Sequence, residues 1–249
     1  MKRGQVSIFI ILAVVIVVGV GSFLFISSYE KNNDSYQNTF LSEATQHYYS
    51  LIHDCITQQS YEGILEVGKN AGYYALPLRQ TAIGVPYYFY EGELMVPSLS
   101  DIEEQLALSV KNRLAVCGYV SEQTVINGNP TVKSHIFDDY IMLDIIFPVT
   151  IQGENETVQL STFDDVRVNV RLGTIYKAAT ELIVIQKEKP DTLCASCMID
   201  IGEKYDLAIS GFIFPRNDTV VTIDDISQDY EPFTLMYGVK LVQNETEIE

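Results

Sequence analysis

The residues best suited to chemistry are the four cysteines, Cys55, Cys117, Cys194 and Cys197. An even count allows two disulfides, in three possible pairings. Cys194-Ala195-Ser196-Cys197 is spaced for a local bridge, which would leave Cys55 to join Cys117. The same spacing serves a redox dithiol when the first cysteine opens a helix after a strand, because the helix end lowers its pKa. Here the preceding residues read as a helix closed by Lys189-Pro190-Asp191, and that context favours a structural bond. A zinc site needs a second C-x-x-C or a histidine pair at metal spacing. His47, His53 and His135 supply neither, and His53 and Cys55 would leave a helix on different sides.

Other chemistry finds little purchase. No G-x-S-x-G, H-E-x-x-H or Walker-type loop occurs, and the only Gly-x-Gly is Gly19-Val20-Gly21 inside an apolar run. No catalytic residue and no cofactor is therefore assigned. The acidic pairs Asp138-Asp139, Asp164-Asp165 and Asp224-Asp225 suit turns, where Asp satisfies local N–H groups. They also suit calcium, but no EF-hand loop surrounds them, so no metal site is assigned. The tyrosine pairs Tyr48-Tyr49, Tyr73-Tyr74 and Tyr87-Tyr88 read as core aromatics at helix and strand seams. Asn33, Asn155, Asn217 and Asn244 each begin an N-x-[ST] triplet, the acceptor for N-glycosylation.

The formal net charge is −17 over 249 residues. Such acidity excludes a protein built to grip nucleic acid, which needs a basic stripe to displace counterions. Val6 to Ile26 carries no charge and is dense in Ile, Val, Leu and Phe. As a helix it would reach ~30 Å, one hydrocarbon core. Lys2 and Arg3 precede it, and every Asp and Glu follows it. The positive-inside rule then puts residues 1–5 in the cytoplasm, 6–26 across the membrane and the remainder outside. The bilayer is thus the first expected partner. Cleavage as a secretory signal after Gly19-Val20-Gly21 is a second reading, though it would leave the apolar stub Phe23-Leu24-Phe25-Ile26.

Lys2-Arg3-Gly4-Gln5-Val6-Ser7 resembles the class III signal segment of archaeal type IV pilin-like proteins. That family places basic residues, a Gly, a Gln and a Ser two positions on, directly before the hydrophobic helix. The resemblance implies cleavage between Gly4 and Gln5 by a prepilin peptidase. It also implies a helix that both anchors the subunit and forms a filament core, with other pilin-like or surface proteins as partners. Phe9 stands where the family usually carries a Glu, the carboxylate held to pair with a neighbour's new amino terminus. The wider layout is similar to that of uncharacterised archaeal membrane-anchored ectodomain proteins, which imply no activity.

The elements that must position these residues follow from periodicity. Residues 27–39 are polar and read as a stalk. Phe40, Leu41, Ala44, Tyr48, Leu51, Ile52, Cys55 and Ile56 mark an amphipathic helix, which continues or restarts around Ile64 and stops at Gly68 or Gly72. Tyr87–Tyr90 and Leu94–Val96 flank Glu91-Gly92 as a hairpin. Ser100 and Glu103 form a capping box for a helix that reaches Cys117. Strands are predicted at 131–137, 140–151, 157–163 and 166–170, then a helix from Leu172 to before Pro190. The tail reads mostly as strands, at 207–214, 219–223 and 233–242. The fold class is α+β: a transmembrane helix, then an extracytoplasmic domain over 40–249 with a mostly antiparallel sheet and amphipathic helices. Its expected role is binding, adhesion or assembly at the cell surface.

Overall fold

The computed structural model describes residues 43–119, 124–152, 157–214, 218–227 and 233–242. The chain divides into two compact units, Met1–His47 and Tyr48–Glu249, and the fold below is that of the second, apart from residues 43–47 at the start of its first helix, which belong to the first unit. Val6–Ile26, the 27–39 stalk, Gly4, Gln5 and the four acceptor asparagines Asn33, Asn155, Asn217 and Asn244 lie outside the described residues. Among the described residues no helix is long and apolar enough to cross a membrane. The architecture is α+β, with mostly antiparallel sheets.

Helix α1 runs Glu43–Lys69 without interruption. Its buried positions Ile52, Ile56, Ile64 and Val67 recur every three or four residues or multiples of that, the spacing of one helical face. Sequence reading places the stop at Gly68 or Gly72; the helix passes through Gly68 and ends just before Gly72. Gly68 is there for contact: a Cβ would lie 2.6 Å from the Phe233 ring and 2.7 Å from the Thr234 carbonyl. The true end comes at Ala71 and Gly72, both at positive φ, with the Gly72 amide donating to Val67 O.

Strands β1 (Tyr87–Tyr90) and β2 (Glu93–Leu94) form the hairpin, and Glu91 and Gly92 both take positive φ at its turn. Helix α2 is Leu99–Arg113. Its capping box is Ser98 with Asp101, two residues earlier than sequence reading places it. Glu103 is not free to reach back, because its carboxylate accepts from the Ile136 amide at 2.8 Å and so ties α2 to a strand. A 3-10 turn, Leu114–Tyr119, follows and carries Cys117.

One sheet is built on β5 (Ile141–Gln152), whose inward residues Ile141, Leu143, Ile145, Phe147, Val149 and Ile151 alternate strictly. β3 (Thr124–Ile126) and β4 (Thr131–Ile136) pair along one edge and β6 (Thr157–Val168) along the other, all antiparallel. β6 is a single strand where sequence reading expects two. The break at Asp164-Asp165 is absorbed as a register shift, with Asp165 at φ 60°.

Helix α3 (Leu172–Glu188) leads to the second sheet, whose order is β2-β1-β9-β8-β7. Here β7 is Ala208–Phe214, β8 Asp218–Asp224 and β9 Thr234–Lys240. Only β1–β9 is parallel. Between α3 and β7 lies helix α4, Ala195–Tyr205, which sequence reading misses. It is short and buries only Met198, Ile201 and Gly202, so its apolar stripe is too sparse to stand out against a tail of strands. Asp206 closes it in the left-handed region.

Two cross-links hold the elements. Cys55 of α1 is bonded to Cys117 of the 3-10 turn across 62 residues. A loop of that length contributes about 4 kcal/mol by restricting the unfolded chain. The second is Arg171, just before α3. Its guanidinium donates to Asp225 Oδ1 beyond β8 at 3.2 Å and to the Tyr205 and Asp206 carbonyls at 2.9 and 3.3 Å. The Asp225 side chain is fully buried.

Removing one partner of a buried ion pair strands the other charge, so Arg171→Leu should cost about 3–5 kcal/mol in urea unfolding. Arg171→Lys should recover less than half, since one ammonium cannot span three acceptors. A loss under about 1 kcal/mol for Arg171→Leu would show that the guanidinium is dispensable.

Candidate functional site

A polar cleft lies on the outer face of the five-stranded sheet. The chain between α1 and β1 folds back over that face. Thr81 and Val85 close a small turn through Thr81 N to Val85 O and Val85 N to Thr81 Oγ1, with Gly84 at φ 86°. The segment lies flat because β9 offers Gly238 beneath it. A Cβ there would meet Thr81 Cγ2 at 2.6 Å and Tyr87 Cδ1 at 2.7 Å.

Under this segment opens a cleft of about 320 Å³, bordered by Arg79, Gln80, Tyr87, Tyr90, Asp218 and Lys240. Strand pairing assembles it. Asp218 opens β8 and is the register partner of Lys240 at the end of β9, and Tyr90 ends β1 beside Lys240. Asp218 Oδ1 accepts from the Tyr87 hydroxyl at 2.7 Å and from Lys240 Nζ at 2.9 Å. Its Oδ2 accepts from the Ala82 amide at 3.1 Å, which pins the covering segment to the sheet. At the mouth, Arg79 lies 5.1 Å over the Tyr90 ring and 2.9 Å from Glu93.

Burial raises the Asp218 carboxyl, but Lys240, the Tyr87 hydroxyl and the Ala82 amide together outweigh it and hold the group below the usual carboxylate range. Burial, then the bond to Asp218, pushes the Tyr87 phenol well above its ordinary value. The carboxylate is therefore a fixed acceptor and the phenol a fixed donor near neutrality. The cleft holds charge in place rather than moving protons. It is bordered by Lys240 and Arg79, each paired with a carboxylate, and by the rings of Tyr87 and Tyr90, which suits retention of a small polar group.

Sequence reasoning assigns no role to Asp218, Lys240 or Arg79. The pattern gives β8 and β9, but only the pairing register brings Asp218 and Lys240 together. Tyr87 and Tyr88 are both buried, and Tyr88 stacks on Tyr237 at 4.6 Å. Tyr49 instead reaches the 36% exposed level, with its ring 5.4 Å from Phe163.

Two of the acidic pairs, Asp138-Asp139 and Asp224-Asp225, are turned to cations and hydroxyls. Asp138 accepts from Lys177 at 2.6 Å, Asp139 lies 3.9 Å from Arg171, and Asp224 accepts from Thr234. No group of three His, Cys, Asp or Glu able to hold a metal ion occurs among the described residues. His53 lies 4.0 Å from Asp54 and His135 3.9 Å from Asp144, on separate elements. Cys194 is bonded to Cys197, and Cys194 is the N-cap of α4. No protein-family model, curated protein or solved structure matches this chain.

The Asp218 cluster makes stability depend on pH. A carboxyl whose folded pKa lies below its unfolded value of about 3.9 contributes fully above that value and loses its contribution as pH falls through the folded one. Asp218→Asn should therefore cost about 2–3 kcal/mol at pH 7, because Lys240 loses its counter-charge. That gap should narrow steadily below about pH 4, as followed by urea midpoints. A gap unchanged down to about pH 2 would mean that the charge of Asp218 is not what holds the segment.

Proposed function

We propose that the protein is a single-pass, membrane-anchored surface component, with residues 1–5 in the cytoplasm and the α+β domain outside the cell. It binds or assembles with other surface proteins through that domain, and nucleic acid is not a partner. The observation that carries this reading is the cysteine pattern. All four cysteines are in disulfides, one of them closing a 62-residue separation. Stable disulfides of that kind belong to oxidising compartments. The uncharged run Val6–Ile26 behind Lys2 and Arg3 supplies the means of reaching one.

The cleft beneath the 77–86 segment is the domain's candidate contact point. It presents fixed charges and aromatic walls on a face supported by a sheet, the usual form of a site that recognises rather than reacts.

A second reading is the pilin-like subunit cut between Gly4 and Gln5. A 27-residue helix, Glu43–Lys69, follows the apolar run in sequence. That order, apolar segment and then long helix and then sheet domain, suits a subunit that joins its neighbours through helices.

Protease shaving of intact cells, followed by mass spectrometry of the membrane-retained peptide, tests both readings. Release of peptides from Tyr48–Glu249 with retention of the amino-terminal segment is the expected result. A retained chain starting at Gln5 would move the reading to the filament subunit, and one starting at Met1 to the plain anchor. Full protection of the domain from external protease would overturn the surface placement.

A further inference from the structure

Cys194 and Cys197 sit in a setting that their sequence context conceals. Lys189-Pro190-Asp191 does end a helix, α3, but a new helix begins at once. Gln186 of α3 donates through Nε2 to the Lys189 and Thr192 carbonyls at 2.7 and 3.0 Å and so fixes the connecting loop. Cys194 is the N-cap of the 11-residue α4, and its Sγ accepts the Cys197 amide at 3.3 Å. Both cysteines are half-buried. Cys197 packs against the hydrophobic core, and Cys194 lines an apolar pocket with Leu182, Met198 and Tyr237, its Sγ 3.7 Å from the exposed Ser196 hydroxyl.

The other disulfide provides the contrast. Cys117 is fully buried and the Cys55–Cys117 bond closes a separation of 62 residues, whereas Cys194–Cys197 closes a separation of 3. The short loop restricts the unfolded chain far less, so the second bond adds less to folding stability. A half-exposed C-x-x-C with one sulfur receiving a helix-terminal amide is the arrangement in which a thiolate is stabilised and exchange is fast.

We propose that Cys194–Cys197 is an exchange-active disulfide that accepts two electrons from a dithiol on another protein. The partner's thiolate attacks Cys194 Sγ. The Cys194–Cys197 bond breaks, and Cys197 leaves as a thiolate and takes up a proton. The partner's second thiolate then attacks its own sulfur in the mixed disulfide, and Cys194 leaves as the thiolate held by the Cys197 amide. The partner dithiol is oxidised to a disulfide and the Cys194–Cys197 pair is reduced to the dithiol. Cys194 is the sulfur attacked and Cys197 the leaving group, while the partner's second thiol resolves the mixed disulfide. This step stands on the geometry of the pair and is independent of how the chain is anchored.

The test equilibrates the folded full chain with mixtures of reduced and oxidised glutathione, followed by alkylation and peptide mass spectrometry. Cys194–Cys197 should be half reduced at a ratio where Cys55–Cys117 remains oxidised. In single variants, Cys197→Ser should form a glutathione adduct at Cys194 at least about tenfold faster than Cys194→Ser forms one at Cys197. In urea the two rates should converge. The wild-type titration keeps the test valid even if a variant fails to fold. Opening of Cys194–Cys197 only together with Cys55–Cys117, or equal adduct rates in the folded variants, would overturn the proposal.

Discussion

The structure depends most on one guanidinium. The chain leaves the β5-centred sheet after β6 and must enter the layer of α3 over the other sheet. Arg171 stands at that crossing, and its donors reach the carboxyl end of α4 and the residue after β8. Gly173 makes the close approach possible, since a Cβ there would lie 2.4 Å from the Phe137 carbonyl oxygen. The first turn of α3 is thus pressed against the β4–β5 turn on one side and chained to the second sheet on the other. Asp225 Oδ2 has no hydrogen-bond partner, so the ion pair is not arranged for the largest net stability. A buried pair that breaks even against its desolvation can still fix which elements meet, and the three acceptors on Arg171 fit that role.

With that crossing fixed, the five-stranded sheet needs cover on both faces. Its inner face takes α3 and α4, which bury Ile183 and Met198 close to Val221 and Tyr237. Among the described residues its outer face takes no helix, only the extended segment before β1. An irregular segment has backbone groups that must be satisfied locally or by what lies beneath. Gly238 removes the steric obstacle, and Asp218 provides the acceptor for the Ala82 amide. Once an acid sits in that position, the Tyr87 hydroxyl and Lys240 must answer it. The polar cleft is in this sense a consequence of covering a sheet with a loop. The same groups that hold the cover down are the ones a ligand would meet.

Much of this was legible from residue pattern, and the failures have physical causes. The alternation of β5 and the apolar stripe of α3 each bury a full face, so periodicity exposes them. The capping box is displaced by two residues because Asp101 and Glu103 both satisfy the local rule, and only the tertiary bond from Glu103 to Ile136 decides between them. Gly68 reads as a helix stop because its reason for lacking a side chain, the ring of Phe233, is remote in sequence. The division into two sheets and the parallel β1–β9 pair depend on which strands meet, which no local window contains. The Asp218–Lys240–Tyr87 cluster is hidden for the same reason. Each residue is unremarkable alone, and the site exists only in the register.

The two disulfides show how the same bond can do opposite work. Cys55–Cys117 joins α1 to the 3-10 turn after α2, and it closes a loop that contains β1, β2 and α2. Its value lies in the long unfolded loop it removes, and burial of Cys117 keeps reductants away. Cys194–Cys197 closes almost no loop, joins residues that one helix already holds together, and is only half-buried. Breaking it would free the N-cap of α4 but would not release any element from the fold, because Gln186 and the Arg171 bonds still hold both ends of that helix region. A bond whose loss the fold can absorb is the one that can be opened and closed repeatedly, and its place at a helix terminus gives the freed Cys194 sulfur a donor to rest against.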